Sequence, residues 1–167
     1  MTVPGYSGLI RLAGTTRAFA WVGAHVLPAL DRPFRDRRRS VTSLGTDFPL
    51  CYLTTTGRQT GKQRTAALLY VADGDRAVVI ASNFGSRSHP AWSLNLLANP
   101  VATLTIDGVG RAVLARQATA GEREGYWRDA RRVWPGYDGY RRRAGREIRL
   151  FVLEPVAELP GLDSKPF

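Results

Sequence analysis

Apolar positions recur at helical spacing through residues 6–30. Leu9, Leu12, Phe19, Val22 and Val26 belong to this pattern, which predicts one or two N-terminal helices. A polar connector with the sequence DRPFRDRRRS follows over residues 31–40. We therefore expect residues 1–40 to form an N-terminal helical arm, followed by a second domain over residues 41–167.

From residue 50 onward the apolar residues alternate with polar ones, as in β-strands. Strands are predicted at Leu50–Thr56, Thr65–Val71, Ala77–Ser82, Val101–Ile106, Arg111–Arg116 and Ile148–Leu153. Asp-Gly turns at residues 73–75 and 107–108 predict hairpins. In the fourth strand the inward set is either Val101, Thr103 and Thr105 or their neighbours.

Helices are predicted between the strands. A helix ending near Ala98 should begin after Ser88 as N-cap, with Pro90 close to its first position. The sequence TAGE at residues 119–122 is a capping box, which predicts a helix from Ala120 to Val133. A shorter helix should run from Tyr137 to Arg143. Six short strands, mostly joined by hairpins and with helices inserted singly, predict an α+β fold with a mostly antiparallel β-barrel.

The chain is strongly basic, and this narrows the class of partner. It has 24 Lys and Arg against 14 Asp and Glu, a net charge of +10, and lysine only at Lys62 and Lys165. Arginine binds phosphate and carboxylate through a planar fork. An anionic partner is therefore expected, and nucleic acid, an anionic membrane and a polyanionic cofactor all agree with the charge.

Metal sites, disulfides and membrane spans are not expected. Cys51 is the only cysteine, and neither His25 nor His89 has a second ligand at metal-binding spacing. The longest apolar stretch, Ala18–Leu30, is much shorter than the ~20 residues needed to cross a bilayer. We expect a cytoplasmic protein that binds no metal.

The turn between the first two strands, Gly57–Arg64, carries three cations. It would be either a solvated hairpin loop or a phosphate site. Its two glycines could present backbone N–H groups as a nest, and Thr60 adds a hydroxyl. Arg58, Lys62 and Arg64 would supply charge. The spacing fits neither a P-loop nor a dinucleotide fingerprint.

Two further stretches carry candidate chemistry. In ASNFGSRSHPAW, residues 81–92, Ser82, Asn83 and Trp92 could bind a flat polar ring, although a buried structural Trp is the alternative interpretation. His89 is expected to be a cap or loop residue. Trp134, Tyr137 and Tyr140 fall three residues apart on one helix face. They predict either core packing or a wall of rings beside a polar mouth.

Two segments together resemble a known family. LTTTGRQTGKQRTAALLYVADGDRAVVIASNFGSRSHPAWSLNLLANP and WPGYDGYRRRAGREIRLFVLEP, with HVLPALDR in the N-terminal helix, are similar to the deazaflavin-dependent nitroreductases. These are small split β-barrel oxidoreductases, with a fold like that of FMN-binding proteins, that use coenzyme F420, an 8-hydroxy-5-deazaflavin. The resemblance covers about Leu50 to Pro155, and the family includes quinone reductases.

The resemblance also implies a set of site residues. The coenzyme's phosphodiester and oligoglutamate tail would contact Arg58, Gln59, Thr60, Lys62, Arg64, Thr65, Ala66, Ala67, Leu68 and Leu69. The ring would be flanked by Ile80, Ala81, Ser82, Asn83, Ala91, Trp92, Ser93, Leu94 and Asn95, with Tyr137 near the substrate. Asn83 stands where some relatives have a cation, and Trp134 where some have a tyrosine.

The reaction implied is hydride transfer from the reduced deazaflavin to a quinone, enone or nitroaromatic. Tyr137, Tyr140 or Ser82 would then hydrogen-bond the acceptor oxygen as catalytic residues. The N-terminal helix could contact an anionic membrane on its inner face, where a lipid quinone would be found. A homodimer also remains open.

Two other functions remain open at this point. An FMN-binding split-barrel oxidoreductase or flavin carrier would share the architecture. A basic barrel that binds single-stranded nucleic acid would instead use the aromatic residues as a stacking platform. The resemblance favours the deazaflavin reductase, with no nucleic acid as partner.

Overall fold

The structure is a computed structural model that describes residues 48–156. The predicted N-terminal arm over residues 1–40 lies outside the described residues, as do residues 41–47 and 157–167. The arm and the proposed domain boundary therefore remain predictions. The described part contains the candidate segments of the basic turn, the ASNFGSRSHPAW loop and the aromatic stripe.

Six strands form a closed barrel in the order β1-β2-β3-β6-β5-β4, and every neighbouring pair is antiparallel. Their bounds are β1 Leu50–Thr56, β2 Gln63–Asp73, β3 Arg76–Ile80, β4 Val101–Ile106, β5 Val109–Gln117 and β6 Leu150–Pro155. The predicted α+β barrel is confirmed. Closure pairs both edges of the sheet, so the six-stranded sheet has no open edge.

Three helices are inserted between the strands: α1 Ala91–Ala98, α2 Ala120–Val133 and α3 Tyr137–Ala144. In the described part of the chain, none of them is long and apolar enough to cross a membrane. The capping box of α2 is confirmed, since the Glu122 carboxylate accepts a hydrogen bond from the Thr119 N–H at 2.7 Å.

The predicted Ser88 cap of α1 is wrong. The N-cap is Pro90, whose extended backbone (φ −65°, ψ 144°) leads directly into the helix without a side-chain cap. Ser88 faces the preceding loop, where its carbonyl oxygen and hydroxyl accept from Asn83 Nδ2 at 3.1 and 3.3 Å.

The strands bury apolar side chains on both faces of the sheet. One set, which includes Leu53, Leu104 and Phe151, fills the barrel interior. The other set lies outside β2, β3 and β6, where α2 and α3 cover it. In β4 the inward residues are Ala102 and Leu104, so the second of the two predicted alternation patterns is confirmed.

One end of the barrel collects segments that are far apart in sequence. β1 and β3 run in the same direction because each is antiparallel to β2, so the β1–β2 turn and the loop after β3 emerge together. β6 is antiparallel to β3 and therefore starts at this end. Helix α1 packs here, with Trp92 and Leu96 in the interior cluster. We call this the α1 end.

Candidate functional site

The basic turn exposes positive charge that no acid among residues 48–156 neutralises. The side chains of Arg58, Lys62 and Arg64 are exposed and form no ion pair within the described residues. The acids that form ion pairs do so with other arginines: Asp73, Glu122, Glu124, Asp129, Asp138, Glu147 and Glu154. An anion approaching the turn therefore meets cations that are already free to bind it.

The backbone N–H groups of the turn are mostly engaged, so the predicted nest does not form. Gly57 N–H donates to Lys62 O at 2.8 Å, and Gly61 N–H donates to Gly57 O at 2.7 Å. Arg58 N–H donates to the side chain of Asn95. Gly61 adopts φ 66°, which folds the turn back on itself. An anion at this turn would therefore be held mainly by side chains.

Asn95 ties the basic turn to α1. Its Oδ1 accepts from Arg58 N–H at 3.1 Å, and its Nδ2 donates to Thr55 Oγ1 at 3.0 Å. Asn95 is 4% exposed and Thr55 is fully buried. The two contacts fix both ends of the amide, so the turn and the helix are positioned relative to each other.

The predicted tail-contact residues in β2 divide between the two faces of the barrel. Ala66 and Leu68 pack against the interior cluster, so they can offer an external ligand only their backbone. Thr65, Ala67 and Leu69 alternate with them on the outer face, where Ala67 is exposed, Thr65 is half-buried and Leu69 packs against the cluster under α2 and α3. Gln59 and Thr60 are exposed in the turn itself.

The loop after β3 has an unusual backbone. Asn83, Phe84 and Gly85 have φ values of 47°, 53° and 77° in succession, a conformation that is uncommon for residues other than glycine. A Cβ on Gly85 would lie 2.9 Å from Tyr140 Cα. The loop therefore presses directly on the backbone of α3.

Arg146 fastens this loop, and sequence reasoning missed it. Its guanidinium donates at 3.0–3.2 Å to four backbone carbonyl oxygens of the loop, those of Ala81, Ser82, Ser86 and Ser88. Its Nη1 also lies 3.0 Å from His89 Nδ1. His89 is thus a loop residue, as predicted. Burial and the charge of Arg146 lower the pKa of His89. One more arginine in a chain rich in arginine gave no signal in the sequence.

The predicted ring-flanking residues contain few exposed groups. Ser82 is 8% exposed, and within the described residues its hydroxyl makes no hydrogen bond. Trp92 packs edge-on against Phe151 in the barrel interior, with centroids 5.8 Å apart, which favours its structural interpretation. Ile80, Ala81, Ser93 and Asn95 are also buried, whereas Leu94 is half-buried and Ala91 is exposed.

The aromatic stripe is part of the core. Trp134, Tyr137 and Tyr140 are 5%, 5% and 2% exposed, and the two tyrosine rings meet edge to face at 5.9 Å. Trp134 Nε1 donates to the Tyr140 hydroxyl at 3.2 Å. Burial raises the pKa of both tyrosines. Phe84 joins Tyr140 to the loop with centroids 6.0 Å apart, so the rings lie behind that loop.

The α1 end therefore combines a cationic turn and an anchored loop with a helix between them, and neither the turn's cations nor the Ser82 hydroxyl is paired with another described residue. Among residues 48–156, no three His, Cys, Asp or Glu side chains lie close enough together to hold a metal ion. The arrangement fits the binding of an elongated anionic molecule with a polar group beside Ser82.

The chain is similar to a known family and to individual members of it. A family model described as F420H(2)-dependent quinone reductase matches residues 32–155. A Mycobacterium tuberculosis protein named F420H(2)-dependent quinone reductase is 31% identical over 113 residues, covering 63% of this chain and 72% of the relative. A second protein from that organism, provisionally named for the same activity, is 31% identical over 107 residues, covering 64% of this chain and 90% of the relative.

The chain is also similar to solved structures. A structure described as an F420-H2 dependent reductase is 32% identical, with a TM-score of 0.59, and covers 64% of this chain and 94% of its own. Another, described as a domain-swapped dimer, is 28% identical with a TM-score of 0.61 and covers 82% of this chain and 99% of its own.

Proposed function

Because the chain belongs to the F420H(2)-dependent quinone reductase family, we propose that it is a coenzyme F420-dependent oxidoreductase that reduces a quinone. The resemblance found in the sequence is thereby confirmed at the level of the family. Deazaflavin as the cofactor and oxidoreductase as the class follow from the same membership.

The observation that carries the proposal is the unpaired charge of Arg58, Lys62 and Arg64 on a turn that Asn95 fixes to α1. A coenzyme tail with a phosphodiester and several carboxylates needs cations that are not already paired with protein acids. The described residues therefore fit the coenzyme.

We assign the tail to the exposed side of the turn and of β2. The side chains that would bind it are Arg58, Gln59, Thr60, Lys62, Arg64, Thr65, Ala67 and Leu69, while Ala66 and Leu68 would offer their backbone. The ring would lie beside Ser82, Asn83, Ala91 and Leu94. The buried residues Ile80, Ala81, Trp92, Ser93 and Asn95 would support that surface from behind.

When bound, the reduced deazaflavin supplies a hydride from C5 of its ring. Ser82 is best placed to donate a hydrogen bond to the acceptor oxygen, because its hydroxyl has no partner within the described residues. Arg146 holds the Ser82 carbonyl and so orients this residue. Tyr137 and Tyr140 are 5% and 2% exposed, so they would act by packing behind this surface rather than by donating a hydrogen bond to the acceptor.

The proposal is tested by anaerobic oxidation of the reduced coenzyme, followed by absorbance. The acceptors are a menaquinone analogue, an enone and a nitroaromatic. The last two are included because family membership alone does not tell whether they are also substrates. We expect the quinone to be reduced fastest. The Ser82→Ala change should lower kcat by a larger factor than it lowers the affinity for the coenzyme. Failure of every acceptor to oxidise the coenzyme would contradict the proposal.

A homodimer is supported by the relative described as domain-swapped, and light scattering of the full chain should give twice the monomer mass. A monomer at micromolar concentration would contradict it. Contact of the N-terminal helix with a membrane, and the cytoplasmic location, remain predictions, because that helix lies outside the described residues. Co-sedimentation with anionic vesicles, compared with neutral vesicles, tests the contact.

A further inference from the structure

Arg149 carries a buried donor that no residue of the described part of the chain satisfies. Its Nη1 is buried and lacks a hydrogen-bond partner, and its side chain forms no ion pair within the described residues. A buried, charged N–H without an acceptor lowers stability, so native proteins rarely retain one without a reason. A ligand that supplies the acceptor would be such a reason.

The position of Arg149 places it at the α1 end. Its carbonyl oxygen accepts from Ala81 N–H at 2.9 Å, next to Ser82. It precedes β6 and stands two residues before Phe151, whose ring faces the barrel interior and meets Trp92 of α1. Because side chains alternate along a strand, Arg149 is on the interior side, at the mouth of the barrel.

The neighbours of Arg149 add charge without adding an acceptor. Arg146 directs Nε, Nη1 and Nη2 to loop carbonyls, to His89 and to Glu147 O. Arg149 is close enough to lower the pKa of both Arg146 and His89. The carboxylate of Glu147 pairs with Arg123 at 2.8 Å. This cluster of Arg146, Arg149 and His89 is therefore positive, with one open donor.

The basic turn and the segment of Arg149 both reach α1, about one helical turn apart. Asn95 links the turn to the helix, and Trp92, three residues earlier, packs on Phe151, which is two residues after Arg149. Residues three apart on a helix are separated by about 4.5 Å along its axis. One ligand of extended shape can therefore contact both cationic regions, with its tail at the turn and its other end at Arg149.

We propose that Arg149 is a ring-binding residue, whose Nη1 donates a hydrogen bond to a carbonyl oxygen of the coenzyme's pyrimidinedione ring. This inference rests on the proposed function. It adds a residue that the sequence pattern did not indicate. It also assigns binding of the ring to Arg149 and binding of the tail to the basic turn. The charge of Arg149 would also favour negative charge on the bound ring, as cations near flavin rings do.

The test compares two ligands by fluorescence titration: the whole coenzyme and a deazaflavin that carries only the ribityl chain, without the phosphodiester tail. Arg149→Leu should weaken both by a similar factor, on the order of 10-fold or more. Lys62→Ala should weaken only the whole coenzyme. Arg128→Leu, which removes an exposed arginine from α2, is the matched control and should change neither affinity.

Thermal unfolding of the apo protein separates binding from a structural role. Arg149→Leu removes an unsatisfied buried donor, so its Tm should equal or exceed that of the wild type. Arg149→Lys, which keeps the charge, should recover part of the affinity for both ligands. The inference is overturned if Arg149→Leu binds the tail-less ring like the wild type, or if it lowers Tm and the Lys variant restores no affinity. Failure of the wild type to bind either ligand would instead contradict the proposed function.

Discussion

At the scale of the residue, the α1 end shows which polar atoms are already used and which remain available. Asn95 uses both ends of its amide inside the protein, whereas Ser82 Oγ and Arg149 Nη1 have no partner within residues 48–156. The basic turn resembles the second group, because its cations project into solvent. Groups that the fold leaves unpaired at one end of a barrel are the ones that can contact a ligand.

Asn95→Ala should affect both stability and coenzyme binding. The change leaves the buried Thr55 hydroxyl and the Arg58 N–H without their partner, so the free energy of unfolding should fall by about 1–3 kcal/mol. Affinity for the coenzyme should also fall, because the turn is released from α1. Urea denaturation and coenzyme titration measure the two effects.

Thr55→Val is the matched control for Asn95→Ala. It removes only the contact from Asn95 Nδ2 and leaves the bond to Arg58 N–H in place. We expect a similar loss of stability with nearly normal coenzyme affinity. Equal loss of affinity in the two variants would argue against the role of Asn95 in positioning the turn.

The shared location of the three cations in the basic turn was predictable from the sequence. Arg58, Lys62 and Arg64 stand in one short turn between two strands, so their shared location follows from sequence alone. Arg146 and Arg149 gave no such signal, because their importance depends on a loop 60 residues earlier. Burial of Tyr137 depends in the same way on the packing of α3 against the barrel.

At the scale of the element, the loop between β3 and α1 is shaped by its contact with α3. Gly85 touches the backbone of Tyr140, and Arg143 Nη2 donates to the Phe84 carbonyl oxygen at 3.3 Å. Arg146 holds the rest of the loop. Three contacts, made by α3 and by the segment after it, thus fix the conformation of the loop that carries Ser82 and Asn83.

Gly85→Ala should be much more destabilising than Gly74→Ala. Both positions have positive φ, 77° and 62°, which costs an alanine about 1–2 kcal/mol. A Cβ at Gly74 meets nothing within 4 Å, whereas at Gly85 it would lie 2.9 Å from Tyr140 Cα and 3.0 Å from Tyr140 O. The loop must therefore move in the Gly85 variant. Chemical denaturation measures the difference, and equal losses would show that the contact is unimportant.

The carboxyl group of Glu122, at the start of α2, should make the stability of the protein depend on pH below 4.5. Hydrogen bonds from Arg116 and from Thr119 N–H lower the pKa of Glu122 to about 2, from an ordinary value of 4.5. A lowered folded-state pKa contributes stability that is present above pH 4.5 and is lost as pH falls from 4.5 toward 2. Tm should therefore fall across that range.

Glu122→Gln isolates this contribution. The variant should have a lower Tm than the wild type at pH 7, and the two curves should converge near pH 2, where the wild-type carboxyl also becomes protonated. Thermal unfolding monitored by circular dichroism provides the comparison. A constant difference between the two proteins over the whole pH range would contradict the assignment.

The types of element were predictable, but their ends were less so. The hairpin signals and the capping box predicted β1, β4 and α2 with the bounds that the structure has. β2 extends to Gln63 and Asp73, beyond the apolar run, because its polar ends continue to pair with β1 and β3. Backbone pairing does not require apolar side chains, so alternation alone underestimates such a strand.

At the scale of the whole molecule, closure of the barrel creates the site. The pairings of β1 with β4 and of β3 with β6 join strands that are not consecutive, and the sequence carries no local signal for them. The consecutive hairpins already bring the basic turn and the loop after β3 to one end, and the pairing of β3 with β6 adds Arg149 to them. The net charge of +10 then acts on any anionic ligand, so coenzyme affinity should fall as salt increases.

The central claim is that the cationic turn at the α1 end binds the tail of a deazaflavin coenzyme. The most direct measurement is a fluorescence titration of the purified full chain with coenzyme F420, with FMN as competitor. Three proteins are compared: the wild type, the double variant Lys62→Ala/Arg64→Ala and the control Arg128→Ala. We predict that the wild type binds coenzyme F420 saturably and more tightly than FMN. The double variant should bind the coenzyme at least 10-fold (about 1.4 kcal/mol) more weakly, and Arg128→Ala should leave the affinity unaltered. Tighter binding of FMN, or unchanged affinity after Lys62 and Arg64 are both replaced, would contradict the account.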